Sequence, residues 1–212
     1  MSNNEKIIII SGPSGAGEDS VIKGLFKSDL KFVRVVTTIT REPRGREKEG
    51  SPYYFISSEK FKKMIQNNKF VEWAQVYGDY RGCTVEELER VIKSGKIGIW
   101  KIDYQGVKTV KKKLRDVLAI YIKPPSFEAA VDRIKRRKED SDAEIAKRIE
   151  FTKKWLQSKN DKIYDYAVIN EEGELDKTVE EVQKIILNFL SKKPDGKSGW
   201  KDKFKSFFSH RR

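Results

Sequence analysis

Residues 7–20 read Ile7-Ile8-Ile9-Ile10-Ser11-Gly12-Pro13-Ser14-Gly15-Ala16-Gly17-Glu18-Asp19-Ser20. A short β-branched apolar run opens into a glycine-rich turn with the spacing G-x-x-x-x-G. That layout is a buried parallel strand, a backbone cradle for phosphate and a helix N-terminus. Such loops ordinarily continue with Lys and then Ser or Thr; this one continues with Glu18 and Asp19. The scaffold predicts a nucleoside triphosphate site whose phosphates meet Gly12, Ser14, Gly15, Ala16, Gly17, Glu18, Asp19 and Ser20. The charge at its centre is inverted.

Outward from the loop, residues 19–28 carry Val21, Ile22, Leu25 and Phe26 at helical spacing, and Phe32–Thr40 reads as one β-branched strand. Residues 41–52 hold Pro43, Gly45, Gly50 and Pro52 among many charges and read as a loop. Tyr53–Ile56 is a short strand. Ser58 is the expected N-cap of a helix over 59–66. Phe70–Val76 with the Gly78-Asp79 turn predicts a hairpin. A helix over 84–94 ends at Gly95. Strands follow at 97–102, 119–122 and 166–169, with helices at 127–137, 142–159 and 175–190. Alternating strands and helices predict an α/β fold with a parallel sheet. The stretch 35–83 interrupts the alternation and is expected to be an inserted β-rich subdomain.

The chain has 212 residues, 36% charged and 37% hydrophobic, and a formal net charge of +13. That length suits one sizeable core, and the charge suits anionic ligands. No apolar run nears the roughly 20 residues of a spanning helix. The first residues, Met1-Ser2-Asn3-Asn4-Glu5-Lys6, lack the layout of a signal peptide. Cys83 is the only cysteine, which excludes an internal disulfide and a cysteine zinc site. A cytoplasmic setting is expected.

Further motifs follow in a fixed order. Thr37-Thr38-Ile39-Thr40-Arg41-Glu42-Pro43-Arg44 comes first, then Glu47, Gly50 and Tyr53-Tyr54-Phe55. Glu72-Trp73-Ala74, Gly78-Asp79-Tyr80 and Asp103-Tyr104-Gln105-Gly106 come next, then Arg137, Arg148 and Asn170. Arg41 and Arg44 sit three apart in a basic loop, where two guanidinium groups suit bidentate contact with a phosphate. Tyr53 adds a hydroxyl. A lone Arg-x-x-Arg is more often a solvated surface; the ordered set is not. Over residues 5–190 the chain closely resembles the guanylate kinases, which move the γ-phosphoryl group of ATP to GMP.

The resemblance implies a P-loop kinase core with helices on both faces of a parallel sheet. It also implies an inserted nucleoside-monophosphate-binding subdomain at about 35–90 and a helical lid at about 133–152. ATP and Mg²⁺ are the implied donor and metal. It assigns the GMP phosphate to Arg41, Arg44 and Tyr53 and the guanine edge to Glu72; Thr37, Arg81, Cys83, Thr84 and Asp103 are the further candidate GMP-binding residues. A carboxylate suits the adjacent N1–H and N2 donors of that base. Arg41, Arg137 and Arg148 are the implied catalytic arginines, the last two from the lid, where such groups are worth ~10³-fold or more. Asn170 falls where the family contacts adenine.

Five departures fall on the site. Glu18 replaces the loop lysine, and Asp19 replaces the Ser or Thr that helps hold Mg²⁺. Lys101 occupies the first acidic position of an Asp-x-Asp whose second is Asp103. Arg81 and Cys83 replace a Tyr and a Ser or Thr. One reading is loss of function. The other is a charge exchange: Lys101 reaches the phosphates from its strand end, and Glu18 orients it or helps hold Mg²⁺. Asp19 and Asp103 are then the candidate metal ligands, since hard cations favour carboxylate oxygen. Arg81 takes over the contact of the missing Tyr, and Thr84 supplies the lost hydroxyl.

Two other functions compete with a GMP kinase. Guanylate-kinase-like modules bind phosphorylated peptides without catalysis, and related ribose bisphosphate kinases share an Asp-Ser after the catalytic loop position. Residues 191–212 form a basic aromatic tail. Trp200, Phe204, Phe207 and Phe208 would share a helix face. That pattern suits an anionic membrane or nucleic-acid contact, with a short helix packed on its own domain or a flexible solubilising end as the alternatives.

Overall fold

A computed structural model describes residues 6–45, 47–114, 117–136, 141–158 and 160–192. Arg137 and residues 193–212 of the tail lie outside the described residues. In chain order, the first elements are β1 (Ile7–Ser11), α1 (Glu18–Leu25), β2 (Phe32–Arg34), β3 (Thr37–Ile39), β4 (Lys48–Glu49) and β5 (Pro52–Phe55). Next come α2 (Ser58–Gln66), β6 (Phe70–Val76), β7 (Asp79–Thr84), α3 (Val85–Lys93), β8 (Ile97–Lys101) and α4 (Tyr104–Lys113). The last are β9 (Val117–Lys123), α5 (Phe127–Lys135), α6 (Asp142–Gln157), a 3₁₀ turn (Asn160–Ile163), β10 (Tyr166–Ile169) and α7 (Leu175–Ser191). Among the described residues, no helix is long and apolar enough to cross a membrane.

Ile7–Ile10 are all buried because β1 is the centre of a five-stranded parallel sheet ordered β10-β9-β1-β8-β2. Strand alternation sends its side chains to opposite faces. Ile7 and Ile9 pack with Leu88 and Val91 of α3, Val107 and Val110 of α4 and Trp155 of α6. Ile8 and Ile10 pack with Val21, Ile22 and Leu25 of α1 and with Val182 and Ile186 of α7. One apolar run thus seeds two cores, and helices cover both faces.

A second sheet, β4-β5-β3-β7-β6, is built from the stretch between β2 and α3. Its hairpin β6–β7 turns at Tyr77 and Gly78, both with positive φ (57° and 94°), as a tight two-residue hairpin demands. The expected single strand over 32–40 is two. β2 joins the first sheet beside β8 and β3 joins the second. The break falls at Val35 and Val36, where the Val36 N–H leaves the ladder and donates to Glu87 Oε1 at 2.7 Å. The N-cap of α2 is Ser57, one residue before the expected Ser58, and its hydroxyl accepts from Lys60 N. The helix α4 has no counterpart in the sequence-based expectation. Its apolar stripe is short, and a glycine sits in its first turn.

Candidate active site

The β1/β8 register pairs Ile10 with Lys101, so Lys101 ends its strand beside the residues that enter the glycine loop. Ligands of open parallel sheets bind at these carboxyl ends, where chain connections diverge. Gly17 caps α1 in a left-handed conformation with φ 88°, and no side chain caps the helix. Its first-turn N–H groups are therefore the donors an anion would meet. At Gly15 (φ 85°) a Cβ would stand 2.4 Å from the Ala130 carbonyl oxygen, so only glycine fits between loop and α5. Beneath the loop, the Asn170 amide donates to Ala16 O at 2.8 Å and Arg133 donates to Gly15 O at 3.3 Å.

The inverted charges meet. Lys101 Nζ lies 2.7 Å from Asp19 Oδ2 and 3.9 Å from Glu18 Oε1. Arg34 Nη2 donates to Asp19 Oδ1 at 3.4 Å. The nearer partner of Lys101 is thus Asp19, not the expected Glu18. Burial works against the ammonium, but Tyr53, Asp19 and Glu18 outweigh it and raise its pKa. The Lys101 charge in turn is the main influence that lowers the Tyr53 phenol, against burial. Lys101 therefore stands between the glycine loop and β5 of the second sheet.

The second sheet and its loops supply the other wall. Arg41 makes a bidentate pair with Glu47, Nη1 to Oε2 at 2.6 Å and Nη2 to Oε1 at 2.7 Å. Its guanidinium carbon lies 5.3 Å from the Tyr53 ring centroid. Arg44 pairs with Glu144 on α6, and its backbone N–H donates to Glu47 Oε2 at 2.9 Å. Glu72 is buried on β6, with Oε1 accepting from Cys83 N at 3.1 Å. Burial, with Asp103 adding, pushes its carboxyl up to about 8, against the Cys83 N–H bond and Lys113. Asp103 N-caps α4, accepting from Gln105 N at 2.7 Å and Gly106 N at 3.0 Å. Burial still raises its pKa. At Gly106 a Cβ would press on Glu72 Oε2 at 3.0 Å and on Ile102 Cβ at 3.1 Å.

Helix α6 brings the third group. Arg148 Nη1 donates to Ser14 Oγ at 3.3 Å and its guanidinium lies 5.5 Å from the Tyr77 ring. Ser14 Oγ also shares a 3.0 Å hydrogen bond with Tyr77 Oη.

A cavity of about 880 Å³ joins these parts. Of the expected residues, Gly12, Ser14, Glu18, Asp19, Thr37, Arg41, Arg44, Tyr53, Glu72, Arg81, Lys101, Asp103 and Arg148 line it. Others do not. Ser20 points outward and is exposed. Cys83 is fully buried and its thiol donates to Thr84 O, while burial pushes its pKa up. Thr84 spends its hydroxyl capping α3 through Glu87 N. Asn170 is buried behind the loop, its amide committed to Ala16 O and its carbonyl oxygen to Thr178 Oγ1. That arrangement makes it a buttress of the loop. Arg34, Glu47, Tyr77 and Arg136 line the same cavity and were given no role by sequence. Of these only Glu47 falls within the ordered motif set; the folded neighbourhood alone picks out Arg34, Tyr77 and Arg136.

Comparison with known proteins agrees with this geometry. The profile of the guanylate kinase family matches residues 4–188. The guanylate kinase of Rickettsia prowazekii is 36% identical over 187 residues, covering 88% of this chain and 93% of that one. That of Caldanaerobacter subterraneus is 38% identical over 181 residues, covering 85% and 86%. The crystal structure of guanylate kinase from Anaplasma phagocytophilum superposes with a TM-score of 0.67 at 26% identity, covering 90% of this chain and 89% of that one. The chain belongs to the guanylate kinase family of phosphotransferases.

Proposed function

We propose that this protein transfers the γ-phosphoryl group of ATP to GMP. The observation that carries the reading is a single cavity shared by the glycine loop, the Arg41–Arg44–Tyr53 group and the buried Glu72. The stretch of about 35–90 holds the acceptor and that of about 133–152 closes as a lid. Arg41, Arg44, Tyr53 and Arg81 hold the GMP phosphate, and Thr37 and Asp103 border that pocket. Glu72, as carboxylate, accepts from guanine N1–H and the N2 amine. The loop N–H groups and the α1 terminus take the ATP phosphates. Arg148 approaches from α6 and neutralises charge on the transferring group.

In the transfer, the γ-phosphorus breaks its bond to the β,γ-bridging oxygen and forms one to a GMP phosphate oxygen. The electron pair of the broken bond stays on ADP. The GMP phosphate enters as a dianion, so no base is required. Among the described residues, no group of three or more His, Cys, Asp or Glu is arranged to hold a metal. Mg²⁺ would therefore be held largely by phosphate oxygens, with Asp19 and Asp103 as the nearby cavity carboxylates. It would supply charge neutralisation on those oxygens.

The test is ADP release with ATP–Mg²⁺ and a panel of acceptors: GMP, AMP, CMP and ribose bisphosphate. Turnover with GMP well above the others is expected. Tight GMP binding without turnover would favour a non-catalytic module, and preference for ribose bisphosphate would displace the guanine assignment.

A further inference from the structure

We propose that Lys101 is the cation of the phosphoryl-transfer site, delivered from the end of β8 instead of from the loop, with Asp19 as its resting counter-ion. On ATP binding, the ammonium exchanges that carboxylate for a phosphate oxygen. The inference rests on the GMP-kinase reading above and deepens it.

Position comes first. Lys101 and Ile10 are register partners, and Ser11 leads directly into the loop. A residue at position 18 would send a cation up from the first turn of α1. Lys101 sends one across from the adjacent strand, and its Nζ reaches the side chains of that same first turn, at 2.7 Å and 3.9 Å. Both routes end over one helix N-terminus, the place where anions are favoured.

Charge comes second. Glu18 and Asp19 put two carboxylates where phosphates are expected, and Lys101 with Arg34 puts two cations against them. A carboxylate left there alone would repel a triphosphate. Held by Arg34, Asp19 has a second cation to stay with when Lys101 turns to the phosphates. A partly buried ammonium without close partners would be costly to keep. Lys101 has such partners at rest, and a phosphate oxygen would replace one of them.

Reach comes third. Lys101 lines the cavity together with Tyr53, Arg41 and Arg81 on the acceptor side and with Gly12 and Ser14 on the donor side. A cation between the two sides is placed to bind the group that crosses. Simple decay of the loop would explain Glu18 but not a compensating lysine seated at that crossing.

The experiment compares the parent protein with Lys101→Met, Lys101→Arg, Glu18→Lys and the double variant Glu18→Lys/Lys101→Asp. Turnover is measured, and binding of a non-hydrolysable ATP analogue with Mg²⁺ and binding of GMP are titrated separately by calorimetry. GMP affinity within about 3-fold of the parent shows that a variant is folded. Lys101→Met is expected to cut kcat by about 10²–10³, the scale of losing one preorganised charge-stabilising group, and to weaken the analogue at least about 10-fold. Lys101→Arg should retain more of both. Glu18→Lys alone should not raise turnover. The double variant should recover part of what Lys101→Met loses, since the two sites act as a unit.

Unchanged kcat and analogue affinity in Lys101→Met would overturn the proposal. So would a gain of turnover in Glu18→Lys alone. If the parent fails to phosphorylate GMP, that reading fails on its own, and the analogue titration still decides. Weakening by Lys101→Met supports the exchange; equal affinity, or no binding by the parent, sinks it.

Discussion

The hydroxyls of Tyr77 and Ser14 meet at 3.0 Å, one from the β6–β7 turn of the second sheet and one from the glycine loop of the first. The Tyr77 ring is held edge-on by Phe151 at 5.0 Å, with Arg81 and Arg148 at 5.8 and 5.5 Å from its centroid. Tyr77 keeps a left-handed backbone that few non-glycine residues adopt. Such strain persists where the surroundings fix it. One phenol thus ties the acceptor sheet, the donor loop and α6 together. Tyr77→Phe keeps the ring and removes the tie. A net hydrogen bond is worth about 0.5–1.5 kcal/mol, so kcat/KM for GMP should fall about 3–10-fold with thermal stability little changed. Kinetics equal to the parent would show that the hydroxyl contact couples nothing.

Glu72 makes GMP binding pH-dependent. Its carboxyl stands at about 8 in the folded protein against an ordinary 4.5. The folded state therefore holds a proton that the unfolded state has lost, and stability falls as pH rises from about 4.5 to about 8. Guanine donors favour the ionised form, so binding at pH 7 should expel a proton and tighten as pH rises toward 8. Calorimetry at pH 7 in buffers of differing ionisation enthalpy reads the proton directly. Glu72→Gln should abolish the release, weaken GMP, and stabilise the unliganded protein above pH 8. A buffer-independent heat would mean that Glu72 does not meet the guanine edge as a carboxylate.

The loop, β1 and the two-sided core were legible because one local run fixes them. Ile7–Ile10 admits no face exposed to water, and Gly12–Gly17 admits little but a phosphate turn. The division of 32–40 between two sheets was not legible. Its cause is the remote Glu87, whose carboxylate draws the Val36 N–H out of the ladder. Helix α4 was missed for a similar reason. Gly106, which argues locally against a helix, sits where a Cβ would meet Glu72 Oε2 at 3.0 Å. The ion pairs Arg34–Asp19 and Arg41–Glu47 have no spacing that distinguishes them from ordinary surface charge. Pairing Lys101 with the loop was legible only in sign; that Asp19 is the nearer partner depends on coordinates.

Glu87 is an electrostatic joint between the sheets. It is buried on α3, with Oε1 accepting from Val36 N at 2.7 Å and from Arg90 Nη2 at 2.7 Å. Its Oε2 accepts from Arg90 Nε at 2.8 Å and from Tyr54 Oη at 3.3 Å. Glu87→Ala strands a buried backbone donor and removes the partner of Arg90. Denaturant unfolding should show a loss of about 2–4 kcal/mol, with Glu87→Gln costing less because it keeps the acceptor for Val36. A loss within about 0.5 kcal/mol would place the stability elsewhere.

Glu47 decides how available Arg41 is. Arg41 Nη1 gives its protons to Glu42 O at 2.8 Å and Glu47 Oε2 at 2.6 Å, and Nη2 gives one to Glu47 Oε1 at 2.7 Å. Of five guanidinium protons, that leaves one on Nη2 and the buried Nε–H, which has no acceptor among the described residues. Glu47 is thus either the competitor of the GMP phosphate or the brace that aims Arg41 at it. Three features favour the brace. Its second contact, to Arg44 N at 2.9 Å, fixes the loop backbone as well. Hydrogen bonds from Arg41 and Arg44 hold its pKa low in spite of burial. Cation–π contacts with Tyr53 and Phe55 keep the Arg41 plane in place whichever anion it meets. Glu47→Ala should therefore weaken GMP about 10-fold, near the worth of a charge-assisted bond, while leaving the ATP analogue unaffected. A gain in GMP affinity would instead show that Glu47 competes with the phosphate, and would turn the pair into an inhibitory one.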